Sequence, residues 1–155
     1  METKITLGID MGGTNIRGGL VGQDILPGII SKKINANGRL EEVLDELFSL
    51  ADELMNANVN AIGIGVPGLV NQEEKMVYDV VNIPSWKKIP LQQLMEERYN
   101  IPVHIENDAN CFALGEFYFG KGKDCNSMIG LTIGTGLGSG IIIDKKLYSG
   151  KNGGA

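Results

Sequence analysis

Glycine accounts for 22 of the 155 residues, about twice the roughly 7% of an ordinary chain, and its placement constrains the fold more than its abundance. Seven glycines lie between Gly8 and Gly28 and five between Gly130 and Gly140, whereas none occurs from residue 69 to residue 114. Both clusters follow apolar runs of strand composition. Residues 5–9 lead into Asp10-Met11-Gly12-Gly13-Thr14-Asn15, and residues 127–133 lead into Gly134-Thr135-Gly136-Leu137-Gly138-Ser139-Gly140. The backbone must therefore turn tightly at two strand ends, where a side chain would hinder the turn. With 43% hydrophobic and 21% charged residues, the chain can bury a core, and collagen-like, disordered and coiled-coil classes do not fit.

Between the clusters the periodicity changes from two to three or four. A second strand over residues 16–21, turn material at 22–24 and a third strand over 29–34 make an antiparallel meander. From 39 to 56, Leu40, Val43, Leu44, Leu47, Phe48, Ala51, Leu54 and Met55 recur at helical spacing, which predicts an amphipathic helix. Residues 61–66 read as a buried strand ending at Pro67-Gly68, and 76–81 as another after the polar turn 72–75. Pro90 suits the first turn of a helix running to about Tyr99, closed by Asn100-Ile101-Pro102. Residues 103–106 form a short strand, and Asp108 is the expected N-cap of a helix over 109–119. Two further strands, 127–133 and 140–143, flank the second glycine loop. The pattern is α/β: a mixed sheet with an antiparallel strand meander and flanking helices.

Side-chain counts exclude several chemistries. Fourteen basic against nineteen acidic residues give a net charge of −5, and the basic residues are scattered, so neither nucleic acid nor an anionic membrane is an expected partner. A single histidine, His104, excludes HExxH and three-histidine metal sites, and with Cys111 and Cys125 it leaves a closed structural zinc site one ligand short. Two cysteines without CxxC spacing suit reduced thiols. No apolar run reaches the ~18 residues of a membrane span, and residues 1–20 lack a signal-like pattern, so the expected location is the cytoplasm.

Three polar segments carry chemistry. In Asp10-Met11-Gly12-Gly13-Thr14-Asn15, glycines let backbone N–H groups approach an anion and Thr14 adds a hydroxyl; a carboxylate tolerates phosphate beside it when a divalent cation lies between them. An Asp-initiated hairpin turn fits the same residues. The second loop joins two strands, unlike a P-loop, whose GxxxxGK[ST] pattern is absent. Gly63-Ile64-Gly65-Val66-Pro67-Gly68 matches a dinucleotide fingerprint by letter only, since two of its glycines fall within a strand and the third opens no helix. In Ile105-Glu106-Asn107-Asp108, Asp108 is either a plain cap or a base for a substrate hydroxyl, and a helix N-terminus is expected to lower its pKa. His104 reads as a satisfied strand residue, Cys111 as core packing, and Trp86 either lines a pocket or anchors a loop.

In order and spacing, these segments resemble the N-terminal half of sugar kinases of the ROK family (repressor, open reading frame, kinase). Asp10 to Asn15 resembles the first phosphate loop, DxGGT. Asn82-Ile83-Pro84-Ser85-Trp86 resembles a sugar-side segment, Glu106-Asn107-Asp108-Ala109-Asn110 through Leu114-Gly115-Glu116 the segment with the catalytic aspartate, and Gly134 to Gly140 the second phosphate loop. The resemblance implies one lobe, residues 1–155, of the actin-like, ribonuclease H-like ATPase fold, in which two lobes close on ATP and sugar. It further implies that Asp10 holds Mg2+ through water, that Gly12, Gly13, Thr14, Asn15, Gly134, Thr135 and Gly136 face the phosphates, and that Asp108 is the base. Gly68, Asn82, Asn107 and Asp108 would bind the sugar, a hexose or N-acetylhexosamine, and the full-length protein is expected to be a homo-oligomer.

Asn15 stands where the family commonly has lysine, and Ser139 interrupts a run more often all glycine. The family's Glu-and-His sugar motif, cysteine-rich zinc motif and adenosine-binding lobe have no counterpart in these 155 residues, so zinc is expected only in a C-terminal portion, and this chain alone is not expected to be an efficient kinase. A sugar-sensing transcriptional regulator of the same family is the alternative. It would place a helix-turn-helix ahead of the first loop, where only four residues precede Ile5. A non-catalytic actin-like assembly protein would need neither the Asn107-Asp108 pair nor the Asn82–Trp86 segment.

Overall fold

A computed structural model describes residues 4–22, 27–134 and 136–154. The meander is present: β1 (Ile5–Met11), β2 (Asn15–Val21) and β3 (Ile30–Lys33) pair antiparallel. Helix α1 (Leu40–Leu54) returns the chain so that β4 (Val59–Val66) lies parallel to β1, and α2 (Leu91–Tyr99) does the same for β8 (Val103–Asn107) beside β4. The result is a five-stranded mixed sheet of order β3-β2-β1-β4-β8. Between β4 and α2, β5 (Leu69–Asn71), β6 (Met76–Tyr78) and β7 (Lys88–Ile89) form a small antiparallel sheet. Helix α3 (Asp108–Tyr118) follows β8 directly. The last sheet, β11-β10-β9, comprises β9 (Met128–Ile133), β10 (Leu137–Ile143) and β11 (Lys146–Tyr148), and a 3-10 turn, Lys151–Gly153, follows it.

Strand alternation assigns the two faces of the main sheet opposite tasks. Leu7, Ile9 and Met11 of β1, Ile62, Ile64 and Val66 of β4, and Val103 and Ile105 of β8 are buried on one face, with Val43, Leu47 and Leu50 of α1 and Leu91 and Met95 of α2 in the same core. The intervening residues form the other face. Register places Asp10, Gly65 and Glu106 opposite one another across β1, β4 and β8. Helix α3 contacts β4 and β8 on one side and β9 and β10 on the other, so it joins the two larger sheets. Its packing on β10 needs glycine: a Cβ on Gly140 would come within 2.6 Å of Ala113 Cβ and 2.7 Å of the Ala109 carbonyl oxygen.

Several expected boundaries shift. The strand expected over 76–81 stops at Tyr78 because Asp79 takes φ 43°, a left-handed conformation that cannot continue a strand. Strands β5 and β7 are too short to show alternation. Strand β11 escaped notice because Asp144 and Lys145, at φ 49° and 64°, make the β10–β11 turn without the glycine that usually marks it. The 127–133 and 140–143 pair forms a sheet of its own and does not extend the main one. The cap of α3 is Asn107, not Asp108: Asn107 is extended at φ −59°, ψ 142°, and its Oδ1 accepts from the N–H groups of Ala109 and Asn110 at 2.9 and 3.2 Å. Both residue types cap helices well, so only the backbone geometry decides which one does.

Candidate active site

The β1–β2 turn closes when the Gly12 N–H donates to the Asn15 carbonyl at 2.9 Å. Directly on this turn sits Asn82, because a Cβ on Gly13 would overlap Asn82 Cβ. The loop carrying Asn82 is held by bonds from the N–H groups of Asp79 and Val80 to the carbonyls of Lys87 and Trp86, each 3.1 Å. Trp86 and Ile83 lie beneath it with no exposed surface. Trp86 is therefore the loop's anchor and not a pocket wall.

At the end of β8, Asn107 ties a third segment in. Its Nδ2 donates to the Gly68 carbonyl at 3.1 Å, which joins the Pro67-Gly68 turn to the start of α3. Both Asn107 side-chain atoms are engaged, and one N–H of its amide remains uncommitted. Because Asn107 takes the cap, Asp108 occupies the first helical position and faces the open side.

These segments border one cleft of about 740 Å³. Gly12, Gly13, Gly68, Asn82, Asn107, Asp108, Gly134 and Gly136 all line it. Thr14 and Asn15 belong to the same turn but do not line the cleft; the Thr14 carbonyl accepts from the Ile34 N–H and Asn15 pairs with Lys33. Asp10 borders an adjoining groove on the glycine face with Glu106, Cys111 and Asp108; Asp108 alone among these acids borders both. Thr135 lies outside the described residues. Sequence reasoning missed Asp79, which gave no signal, and Gly153 and Gly154, which reach the cleft because the last turn packs on β5.

The electrostatics reverse one expectation. Burial pushes the Asp108 carboxyl above its ordinary value, and repulsion from Asp10 adds to it; the hydrogen bond from the Ala109 N–H, 2.8 Å from Asp108 Oδ1, opposes but does not win. The helix terminus is the weaker influence on a half-buried acid facing a second acid. Cys111 shows the same negative field. Burial, and then Glu106, Asp108 and Asp10, push its thiol up to about 12, so it stays protonated at neutral pH. It is half-buried along the groove and not in the core, and His104 is exposed on β8.

Arg17, opposite Asp10 across β1 and β2, lines the same groove as the Asp10, Glu106 and Asp108 carboxylates, and oxygen ligands of this kind suit a hard divalent cation. Among the described residues no cluster of three or more His, Cys, Asp or Glu side chains is placed to hold a metal. A cation here would take one protein carboxylate and complete its shell with water and phosphate oxygens, which fits Mg2+.

The sequence pattern of the ROK family matches residues 6–155. The chain belongs to the ROK family. It is 40% identical over 148 residues to the glucokinase of Streptomyces coelicolor, an alignment covering 94% of this chain and 46% of that enzyme. The xylose repressor of Caldicellulosiruptor bescii is 36% identical over 156 residues, covering 95% and 38%. Among solved structures, a ROK glucokinase from Streptomyces griseus in complex with glucose and AMPPNP superposes with a TM-score of 0.87 at 37% identity, over 96% of this chain and 47% of that one. This chain thus has the actin-like fold of the ROK sugar kinases and spans about half the length of the curated relatives it matches. Among the described residues, no helix is long and apolar enough to cross a membrane.

Proposed function

We propose that this chain is the N-terminal lobe of an ATP-dependent sugar kinase, with a hexose or N-acetylhexosamine as acceptor and glucose the first candidate. One observation carries the reading: Asp108 opens into the same cleft as the Gly12-Gly13 turn and the loop flanked by Gly134 and Gly136, so a carboxylate and two glycine loops converge on one space. Glucokinases among the relatives support it.

In this reading Gly12, Gly13, Gly134 and Gly136 face the phosphates, Thr14 and Asn15 support the first loop, and Gly68, Asn82 and Asn107 orient the sugar. Mg2+, held through water by Asp10, would neutralise phosphate charge as it shifts during transfer. Asp108 accepts a hydrogen bond from the attacking hydroxyl and takes its proton late, because a loose phosphoryl-transfer transition state needs alignment before it needs a strong base. A carboxyl held above its ordinary pKa is the better acceptor.

The test is ADP release by the full-length protein that carries this chain, with Mg2+, ATP and a panel of glucose, N-acetylmannosamine, N-acetylglucosamine, allose and fructose. Asp108→Asn should abolish release while circular dichroism stays unchanged; full activity in that variant would remove Asp108 from the chemistry. The xylose-repressor relatives favour a second reading, a sugar-sensing regulator, which predicts sugar binding by calorimetry without ADP release.

A further inference from the structure

Glu106 is the penultimate residue of β8, directly before the Asn107-Asp108 pair, and collects three hydrogen bonds. Its Oε1 accepts from the Asn107 backbone N–H at 2.8 Å and from Asn110 Nδ2 at 3.1 Å, and its Oε2 accepts from Gln72 Nε2 at 3.2 Å. Gln72, in the turn between β5 and β6, also donates to the Ile105 carbonyl at 2.7 Å. Asn110 is 2% exposed and its Oδ1 has no partner, so Glu106 is what fixes the orientation of that amide.

We infer that Glu106 is a positioning residue: anchored by Gln72, its carboxylate holds the Asn107 backbone and the Asn110 side chain so that the strand-to-helix turn presents Asp108 to the cleft. All three partners donate, so the site requires a group that only accepts, which an ionised carboxylate is and a glutamine is not. A glutamine side chain there has the same shape. If it keeps the Asn107 and Asn110 bonds, it sets its own N–H2 against that of Gln72, and Gln72 cannot turn its carbonyl to meet it without releasing Ile105. At least one bond in a half-buried network is lost. The turn then relaxes where a small displacement of Asp108 moves the base out of line.

The catalytic half of this inference rests on Asp108 acting as the base; the geometric half does not, and two measurements separate them. In the 15N-labelled 155-residue chain, Glu106→Gln should speed hydrogen exchange of the Asn107 amide by about tenfold or more while distant core amides keep their protection. In the full-length protein, Glu106→Gln should lower kcat on the order of 10- to 100-fold with KM for ATP little changed, the signature of misplacement and not of lost binding. Gln72→Met, which removes the outer anchor and its bond to the Ile105 carbonyl from an exposed turn and leaves Glu106 in place, should lower kcat by a smaller factor and covers the case in which the first variant folds poorly. Unchanged Asn107 exchange, or kcat unchanged in both variants, overturns the inference. A wild-type protein that releases no ADP with any sugar overturns the kinase reading instead, and the exchange experiment still decides the geometry.

Discussion

At the scale of single residues, Asp108 combines a stability cost with the role of base proposed for it. Its carboxyl is raised in the folded chain by burial and by Asp10. A carboxyl whose folded pKa exceeds its unfolded one favours the folded state while protonated, and that contribution is lost as pH rises through the folded pKa. In Mg2+-free buffer at pH 7, Asp108→Asn should therefore raise the melting temperature of the chain, and the difference should shrink as pH falls through the raised folded value and vanish below about 4, the ordinary aspartate range. Scanning calorimetry at pH 4 and pH 7 checks this; a variant equally or less stable at pH 7 contradicts the burial account. Sites that carry strain for chemistry gain stability when the group is removed. Glu106 and Asn107 show what sequence could and could not give at this scale. The letters Glu-Asn-Asp mark a polar strand end, but which residue caps, which supports and which faces substrate depends on backbone dihedrals.

Among the elements, α3 is decisive because it carries Asp108 and packs against both larger sheets. Gly140 makes that approach possible, with Ala109 and Asn110 backbone within 3.0 Å of where its Cβ would stand. Gly140→Ala should destabilise the chain by about 1–3 kcal/mol, the usual cost of forcing extra volume into a packed contact, and urea unfolding should show a lower midpoint at unchanged slope. A midpoint equal to wild type would mean that α3 stands further from β10. Helices α1 and α2 were legible in the sequence because apolar spacing and terminators agree: the Glu42 carboxylate accepts the Arg39 N–H at 2.9 Å at the start of α1, and Asn100 ends α2 at φ 52°. Of the two- and three-residue strands, β6 was legible although read three residues too long, whereas β5, β7 and β11 were not, since a run that short has no period and is strand only because a neighbour supplies hydrogen bonds.

For the molecule as a whole, one core spans the main sheet, α1, α2 and the loop anchored by Trp86, while a smaller cluster of Ala113, Phe117 and Ile142 sits between α3 and the last sheet. Trp86, the single tryptophan, belongs to the larger cluster although it lies on a loop. Its fluorescence should therefore lose its buried, blue-shifted emission at the same urea concentration at which far-UV circular dichroism is lost, as one cooperative unit requires; an earlier fluorescence transition would show the cleft loop opening by itself. The sequence alone determined the class of fold, the long helices, the two glycine turns and the residues competent for phosphate and hydroxyl chemistry, because periodicity, glycine placement and side-chain type are local properties. Tertiary structure decided what depends on distance between remote segments. It placed Gly12, Asn82, Asn107 and Gly136 around one cleft, set Asp10 in the adjoining groove, and moved the cap to Asn107. It also raised the Asp108 carboxyl against the pull of its own helix, because burial and a facing acid act through space and leave no mark in the order of residues.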